Sequence, residues 1–174
     1  LLAMTRAYLR SAILNGEGPA EACVTTNASL NRDLARGLFA SAMVARLDPA
    51  TSEVELVSAG HKAPAVRWDS AAQELRRIQP NGIALGFDEG PVFLKSLEKT
   101  TFTLNPGDAL FLFSPGAFSC EGAKGEALGE AGVYGLGKVA VEQGMDAMTK
   151  QLKAFLGGEP DTDLAFALLR REKA

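Results

Sequence analysis

Three acidic side chains fall within five positions near the end of the 174-residue chain, at Glu159, Asp161 and Asp163. Clustered carboxylates are what Mg²⁺ and Mn²⁺ require, because these hard cations take oxygen ligands. The same composition is typical of a solvated loop, and the sequence has no companion acidic cluster. These residues alone leave both interpretations open.

A serine, Ser114, directly follows an apolar run and precedes Pro115 and Gly116. The end of a buried strand is a good position for a catalytic residue, since the strand is rigid and the loop after it is accessible. A serine nucleophile needs an activating base, however, and the chain has one histidine and no evident lysine neighbour. Taken alone, this tripeptide therefore favours a turn.

The single histidine, His61, follows Gly60 at the junction between two predicted strands. One imidazole makes neither a catalytic triad nor a metal cage. The residues by themselves predict that His61 shapes this junction.

Composition excludes several function classes. The chain has 18 basic and 21 acidic residues, a net charge of −3, which argues against binding to nucleic acid or an anionic membrane. No apolar run approaches the roughly 18 residues of a membrane span. Cys23 and Cys120 stand far apart without zinc-site spacing. We expect a reduced, cytoplasmic setting.

Hydrophobic periodicity and turn signals predict the order of elements. Helices are predicted at 2–14, 19–36 and 138–156, and strands at 38–48, 53–60, 63–68, 73–78, 92–104, 108–114 and 164–169. A glycine-rich stretch at 116–137 indicates a flexible flap or irregular connection. Two helices, many strands, a helix and a strand predict an α+β fold with helices laid on largely antiparallel sheets.

Several short motifs occur in a fixed order along the chain. They are LNRDL at 30–34, FAS at 39–41, LD at 47–48, AGH at 59–61 with Pro64, GIALG at 82–86, PGD at 106–108, DL at 163–164 and RR at 170–171. In this order they resemble the bacterial phosphatase domains of the protein phosphatase 2C superfamily, in the branch typified by stage II sporulation protein E and the stress-response serine phosphatases.

The resemblance implies two packed, largely antiparallel β-sheets flanked by α-helices. It also implies hydrolysis of phosphoserine or phosphothreonine by water activated between two Mn²⁺ or Mg²⁺ ions, which acidify the water and neutralise the phosphoryl oxygens. The expected partner is a phosphoprotein or a regulator of the anti-sigma-factor-antagonist type.

The chain departs from the family pattern in three places. The family's Gly-Asp and Asp-x-x-Gly-His-Gly segments lie upstream of the first helix, so we expect residues 1–174 to be one phosphatase-like domain lacking its N-terminal part and strands. Where the family has Thr-Asp-Gly, this chain has Ser114-Pro115-Gly116. Where it has Asp-Asp-x-Thr, the chain has Thr162-Asp163-Leu164-Ala165.

The alignment places Thr162 at the expected ligand position, with Asp163 next to it; a shift of one residue would place Asp161 there. Asp163 and Asp161 are therefore the candidate metal ligands. Gly60, His61, Ser114, Pro115, Gly116 and Thr162 are motif positions near the site, and no catalytic residue is assigned.

The changes at the two downstream turns, Pro115 and Thr162, predict a degenerate phosphatase domain that has lost its metal centre and binds a phosphoserine or phosphothreonine regulatory protein in bacterial signalling. The alternative is an active Mn- or Mg-dependent serine/threonine phosphatase whose other ligands lie upstream. A third class is a small-molecule-binding α+β domain unrelated to phosphatases.

Overall fold

A computed structural model describes residues 1–160 and 162–172. In chain order the elements are α1 (Leu2–Leu14), α2 (Pro19–Asp33), β1 (Ala42–Leu47), β2 (Glu53–Ala59), β3 (Ala65–Asp69), β4 (Glu74–Ile78), α3 (Pro91–Ser96), β5 (Lys99–Thr103), β6 (Ala109–Phe113), α4 (Gly116–Ser119), α5 (Gly129–Gln143), α6 (Met145–Leu156) and β7 (Phe166–Arg170). They form two antiparallel sheets with flanking helices, which confirms the predicted α+β class. Among the described residues, no helix has the length and apolarity needed to span a membrane.

The first compact unit comprises residues 1–61 and 79–103. Its sheet has the strand order β1–β2–β5, and both pairings are antiparallel. Helix α2 starts at Pro19, where a missing N–H costs nothing. The apolar side of α2 enters a core with β2 and the 83–97 segment, which contains the fully buried Cys23, Leu30, Val57 and Phe93.

The second unit comprises residues 62–78 and the chain from 104 onward. Its sheet has the order β4–β3–β6–β7, with β6 between two antiparallel neighbours. The non-alternating sequence of β6 predicts coverage of both faces, and four of its five residues are buried. Phe111 and Phe113 pack with α5 and α6, which contribute Leu136 and Met148 to the same core.

Several element boundaries differ from the sequence prediction, and three of these differences have a local cause. Helix α2 ends at Asp33 rather than at residue 36, because Leu34 is extended at φ −98° and ψ 148°. The helix predicted over 138–156 is two helices, since Gly144 adopts φ 93° between α5 and α6. The strand predicted over 92–104 is wrong in its first half. That half is α3, where the Asp88 carboxylate accepts the Gly90 and Phe93 amides.

The glycine-rich stretch is not an irregular flap. It contains α4, a tight hairpin closed by a bridge between Glu121 and Ala127, and the start of α5. The Ala123 amide donates to the Phe155 carbonyl at 3.0 Å, which fastens the hairpin to the end of α6. Gly157 permits this contact, because a Cβ there would lie 2.6 Å from Ala123 Cβ.

Candidate functional site

The candidate site in the second unit starts where β6 ends. The Ser114 amide donates to the Ala165 carbonyl at 2.9 Å, while the Ser114 carbonyl accepts the Ala117 amide at 3.0 Å as α4 begins. Pro115 caps α4 with φ −57° and ψ −27°, a conformation that its ring already favours. The turn predicted for this tripeptide is therefore present.

The Ser114 hydroxyl joins this turn to the segment that precedes β7. Its oxygen accepts the Ala165 amide at 3.0 Å and its hydrogen is donated to the Asp163 carbonyl at 3.3 Å. With both its donor and an acceptor site engaged, this hydroxyl is not poised as a nucleophile.

Gly116 lies directly against the same segment. A Cβ at this position would be 2.9 Å from Thr162 Oγ1 and 3.0 Å from the Asp163 carbonyl oxygen, so only glycine fits without a shift. The structure thus brings together five of the predicted positions, which are Ser114, Pro115, Gly116, Thr162 and Asp163.

Acidic groups of the segment that precedes β7 line an open pocket. Glu159 and Asp163 lie on it together with Pro160, Thr162 and Leu164. Asp161, the other candidate ligand, is outside the described residues. Across residues 1–160 and 162–172, no three histidine, cysteine or acidic side chains gather closely enough to hold a metal ion.

Gly60 and His61 belong to the first unit. Gly60 has φ +70°, donates to the Gly82 carbonyl at 3.0 Å, and leaves no room for a Cβ, which would lie 2.7 Å from the Ala84 backbone. The His61 carbonyl accepts the Ser58 hydroxyl at 3.3 Å and the Gln79 amide group at 3.1 Å. The strand junction is thus tightly built, and the role of His61 in shaping it stays a prediction.

Asp108 is a buried charge whose role the sequence did not reveal. Its carboxylate is 1% exposed and accepts from Arg67 Nη2 at 2.8 Å, the Ser70 amide at 2.9 Å and the Asn105 amide at 3.0 Å. Burial opposes ionisation, but these hydrogen bonds outweigh it and lower the pKa of Asp108 to about 2. The Pro-Gly-Asp motif before β6 is thereby tied to β3.

Asn27, on α2, is a second residue whose role the sequence did not reveal. Its side chain accepts the Gly86 amide at 2.8 Å and donates to the Asp88 carbonyl at 2.9 Å. Asn31, one helical turn later, reinforces the contact by donating to the carbonyls of Asn27 and Asp88 at 3.0 and 3.3 Å. The spacing of four between the two asparagines is the only signal in the sequence.

The two antiparallel sheets with flanking helices form the fold of protein phosphatase 2C-type domains. The family model described as "Stage II sporulation protein E (SpoIIE)" matches residues 1–172, so the chain belongs to this family. Membership removes the interpretation as an unrelated small-molecule-binding domain. No curated protein sequence matches the chain.

Solved structures share this fold at low sequence identity. The RsbU and RsbW domains of Rv1364c from Mycobacterium tuberculosis match with 22% identity and a TM-score of 0.71, over 98% of this chain and 47% of that one. The SiaA-PP2C domain of Pseudomonas aeruginosa gives 18% and 0.79, over 98% and 68%. The catalytic domain of the serine threonine protein phosphatase PstP, in complex with two manganese ions, gives 12% and 0.65, over 95% and 77%. The chain thus spans about half the length of the first of these proteins.

Proposed function

We propose that this SpoIIE-family domain is a degenerate phosphatase that binds a phosphoserine- or phosphothreonine-bearing regulatory protein without a competent metal centre. The observation that supports the proposal is the identity of the residues in the two turns that carry metal ligands in the family pattern. Pro115 follows β6, and Thr162 packs on Gly116, so neither turn offers a carboxylate at its aligned position.

The donor chemistry of the described residues does not fit a pair of divalent cations. Two such ions need several carboxylate oxygens close together. Proline has no side-chain donor, and the Ser114 hydroxyl is engaged by the Ala165 amide and the Asp163 carbonyl. The described carboxylates of this segment are Glu159 and Asp163, and neither stands at an aligned ligand position.

The electrostatics of the pocket limit how a partner is held. Glu159 and Asp163 make its lining negative, so an unneutralised phosphate would be repelled there. Recognition of the regulator therefore rests on its protein surface, and the phosphate stays outside this pocket. The proposed partner class is the anti-sigma-factor-antagonist type expected for this branch of the family.

Calorimetry in the presence of EDTA tests this function. Anti-sigma-factor antagonists from the source organism are titrated into the protein, each in serine-phosphorylated and unphosphorylated form. Because recognition rests on the protein surface, we expect at least one antagonist to bind in both forms with EDTA present, and its phosphorylated form to keep its phosphate. Binding that needs Mn²⁺, or the absence of binding by every antagonist, would contradict the proposal.

A further inference from the structure

The pairing of β6 with β7 continues one residue beyond the strands. The last strand pair is Phe113 with Phe166, and the Ser114 amide then donates to the Ala165 carbonyl at 2.9 Å. In a regular antiparallel ladder, the Ser114 carbonyl would accept the Ala165 amide in return. That carbonyl instead accepts the Ala117 amide, because the chain has already turned into α4.

The Ser114 side chain fills the place of the diverted carbonyl. Its Oγ accepts the Ala165 amide at 3.0 Å, so this donor keeps a partner. The hydroxyl hydrogen is donated to the Asp163 carbonyl at 3.3 Å. The hydroxyl serves both groups because it accepts and donates at one atom, whereas an ionised carboxylate cannot donate.

A close backbone approach completes this arrangement. Thr162 Oγ1 and the Asp163 carbonyl lie within 3.0 Å of where a Cβ on Gly116 would stand. Segment 162–165 is thus held by three hydrogen bonds to Ser114 and by direct packing on Gly116.

We propose that Ser114 is a positioning residue whose hydroxyl clasps segment 162–165 to the turn after β6, so that these two turns keep their geometry without a divalent cation. The inference rests on the proposed function, because it takes the two turns as a metal-free site. It adds the element that keeps them ordered in the absence of metal.

Amide hydrogen exchange and thermal unfolding of the protein test the clasp. In Ser114→Ala, the Ala165 amide should exchange at least about tenfold faster, since it loses its acceptor. The unfolding midpoint should fall by about 3–8 °C. Ser114→Thr keeps a hydroxyl and should restore most of the protection. Ser119→Ala is the matched control, because that exposed serine makes one long bond, 3.4 Å to the Gly116 carbonyl.

The outcomes separate the clasp from the proposed function. Unchanged Ala165 exchange in Ser114→Ala, or equal loss in Ser114→Ala and Ser119→Ala, would overturn the clasp. A rise in the wild-type midpoint on adding Mn²⁺, reversed by EDTA, would instead overturn the metal-free site. A wild-type midpoint that is the same with Mn²⁺ and with EDTA, together with rescue by Ser114→Thr, supports both.

Discussion

The buried carboxylate of Asp108 and the guanidinium of Arg67 form an ion pair, with 2.8 Å between Oδ2 and Nη2. Arg67 lies on β3, and Asp108 directly precedes β6. The pair therefore fixes the start of β6, and Ser114 directly follows the other end of this strand. Two backbone amides, from Ser70 and Asn105, complete the hydrogen bonding of the carboxylate.

Asp108→Asn should destabilise the protein by about 2–4 kcal/mol at neutral pH, because it removes the carboxylate charge that pairs with the Arg67 guanidinium. The folded pKa of Asp108, about 2, is below its ordinary value of 3.8. The stabilisation is thus complete above pH 4 and is lost as the pH falls towards 2. Urea unfolding at several pH values should show the gap between wild type and variant narrowing below pH 4.

A surface ion pair on the same sheet serves as the control for this variant. Glu74 contacts Arg76 at 2.7 Å with both side chains about half exposed. Glu74→Gln should change stability by less than about 0.5 kcal/mol. A gap between wild type and Asp108→Asn that stayed constant from pH 7 to pH 2 would refute the assigned pKa.

Asn27→Ala should cost about 1–3 kcal/mol, because the Gly86 amide and the Asp88 carbonyl lose a buried partner. Asn31→Ala should cost less than about 1 kcal/mol, since its bond to the Asp88 carbonyl is longer, at 3.3 Å. Chemical denaturation of the two variants measures this order. Equal losses of stability in the two variants would show that Asn27 is not the main contact between α2 and the segment that contains Gly86 and Asp88.

Gly116→Ala should destabilise the protein by about 1–3 kcal/mol, because the new methyl group would meet Thr162 and the Asp163 carbonyl. Adding Thr162→Ala removes one of these two contacts and should recover part of the loss. A double-mutant cycle by thermal unfolding measures the coupling. Strict additivity of the two changes would mean that the turns do not pack as described.

Pro115→Asp combined with Thr162→Asp should raise the Mn²⁺ affinity at least about tenfold, because it supplies two carboxylates at the aligned ligand positions. The backbone at 115 has an ordinary αR conformation that aspartate adopts readily. Calorimetric titration with Mn²⁺ measures the change. Unaltered affinity would show that the alignment of these turns is wrong.

A variant of His61, in the first unit, tests whether this residue contributes to Mn²⁺ binding. His61→Ala, added to the double variant, should lower stability and leave Mn²⁺ affinity the same, because His61 is assigned to the strand junction. A large loss of Mn²⁺ affinity would instead make His61 a metal ligand.

Local sequence patterns predicted the elements whose bounds depend on residues close together in the chain. The bounds of α1 agree with the prediction, since Asn15 and Gly16 end it as their types suggest. The strand prediction failed over residues 92–96, because Val92 and Leu94 suggest a strand, whereas the Asp88 carboxylate accepts the Phe93 amide in the first turn of a helix and Phe93 is buried. Helices α5 and α6 carry one continuous apolar spacing, which concealed the break at Gly144.

Long-range partners explain what the sequence did not reveal about the site. The ordered motifs predicted the turn after β6 and segment 162–165 as family positions, and the structure brings them into contact. The sequence motifs did not indicate the roles of Asn27 and Asp108, because their hydrogen-bond partners lie 59 and 41 positions away in the chain. The Ser114 hydroxyl likewise bonds across 51 positions, and only the fold shows that it replaces a carbonyl.

Hydrolysis of p-nitrophenyl phosphate by the full-length protein, with Mn²⁺ and then with EDTA, tests whether the domain lacks a competent metal centre. We expect release of p-nitrophenol at the buffer rate in both conditions, because Pro115 and Thr162 leave the aligned turns without carboxylate ligands. Clear turnover with Mn²⁺ that EDTA abolishes would contradict it and establish an active metal-dependent phosphatase.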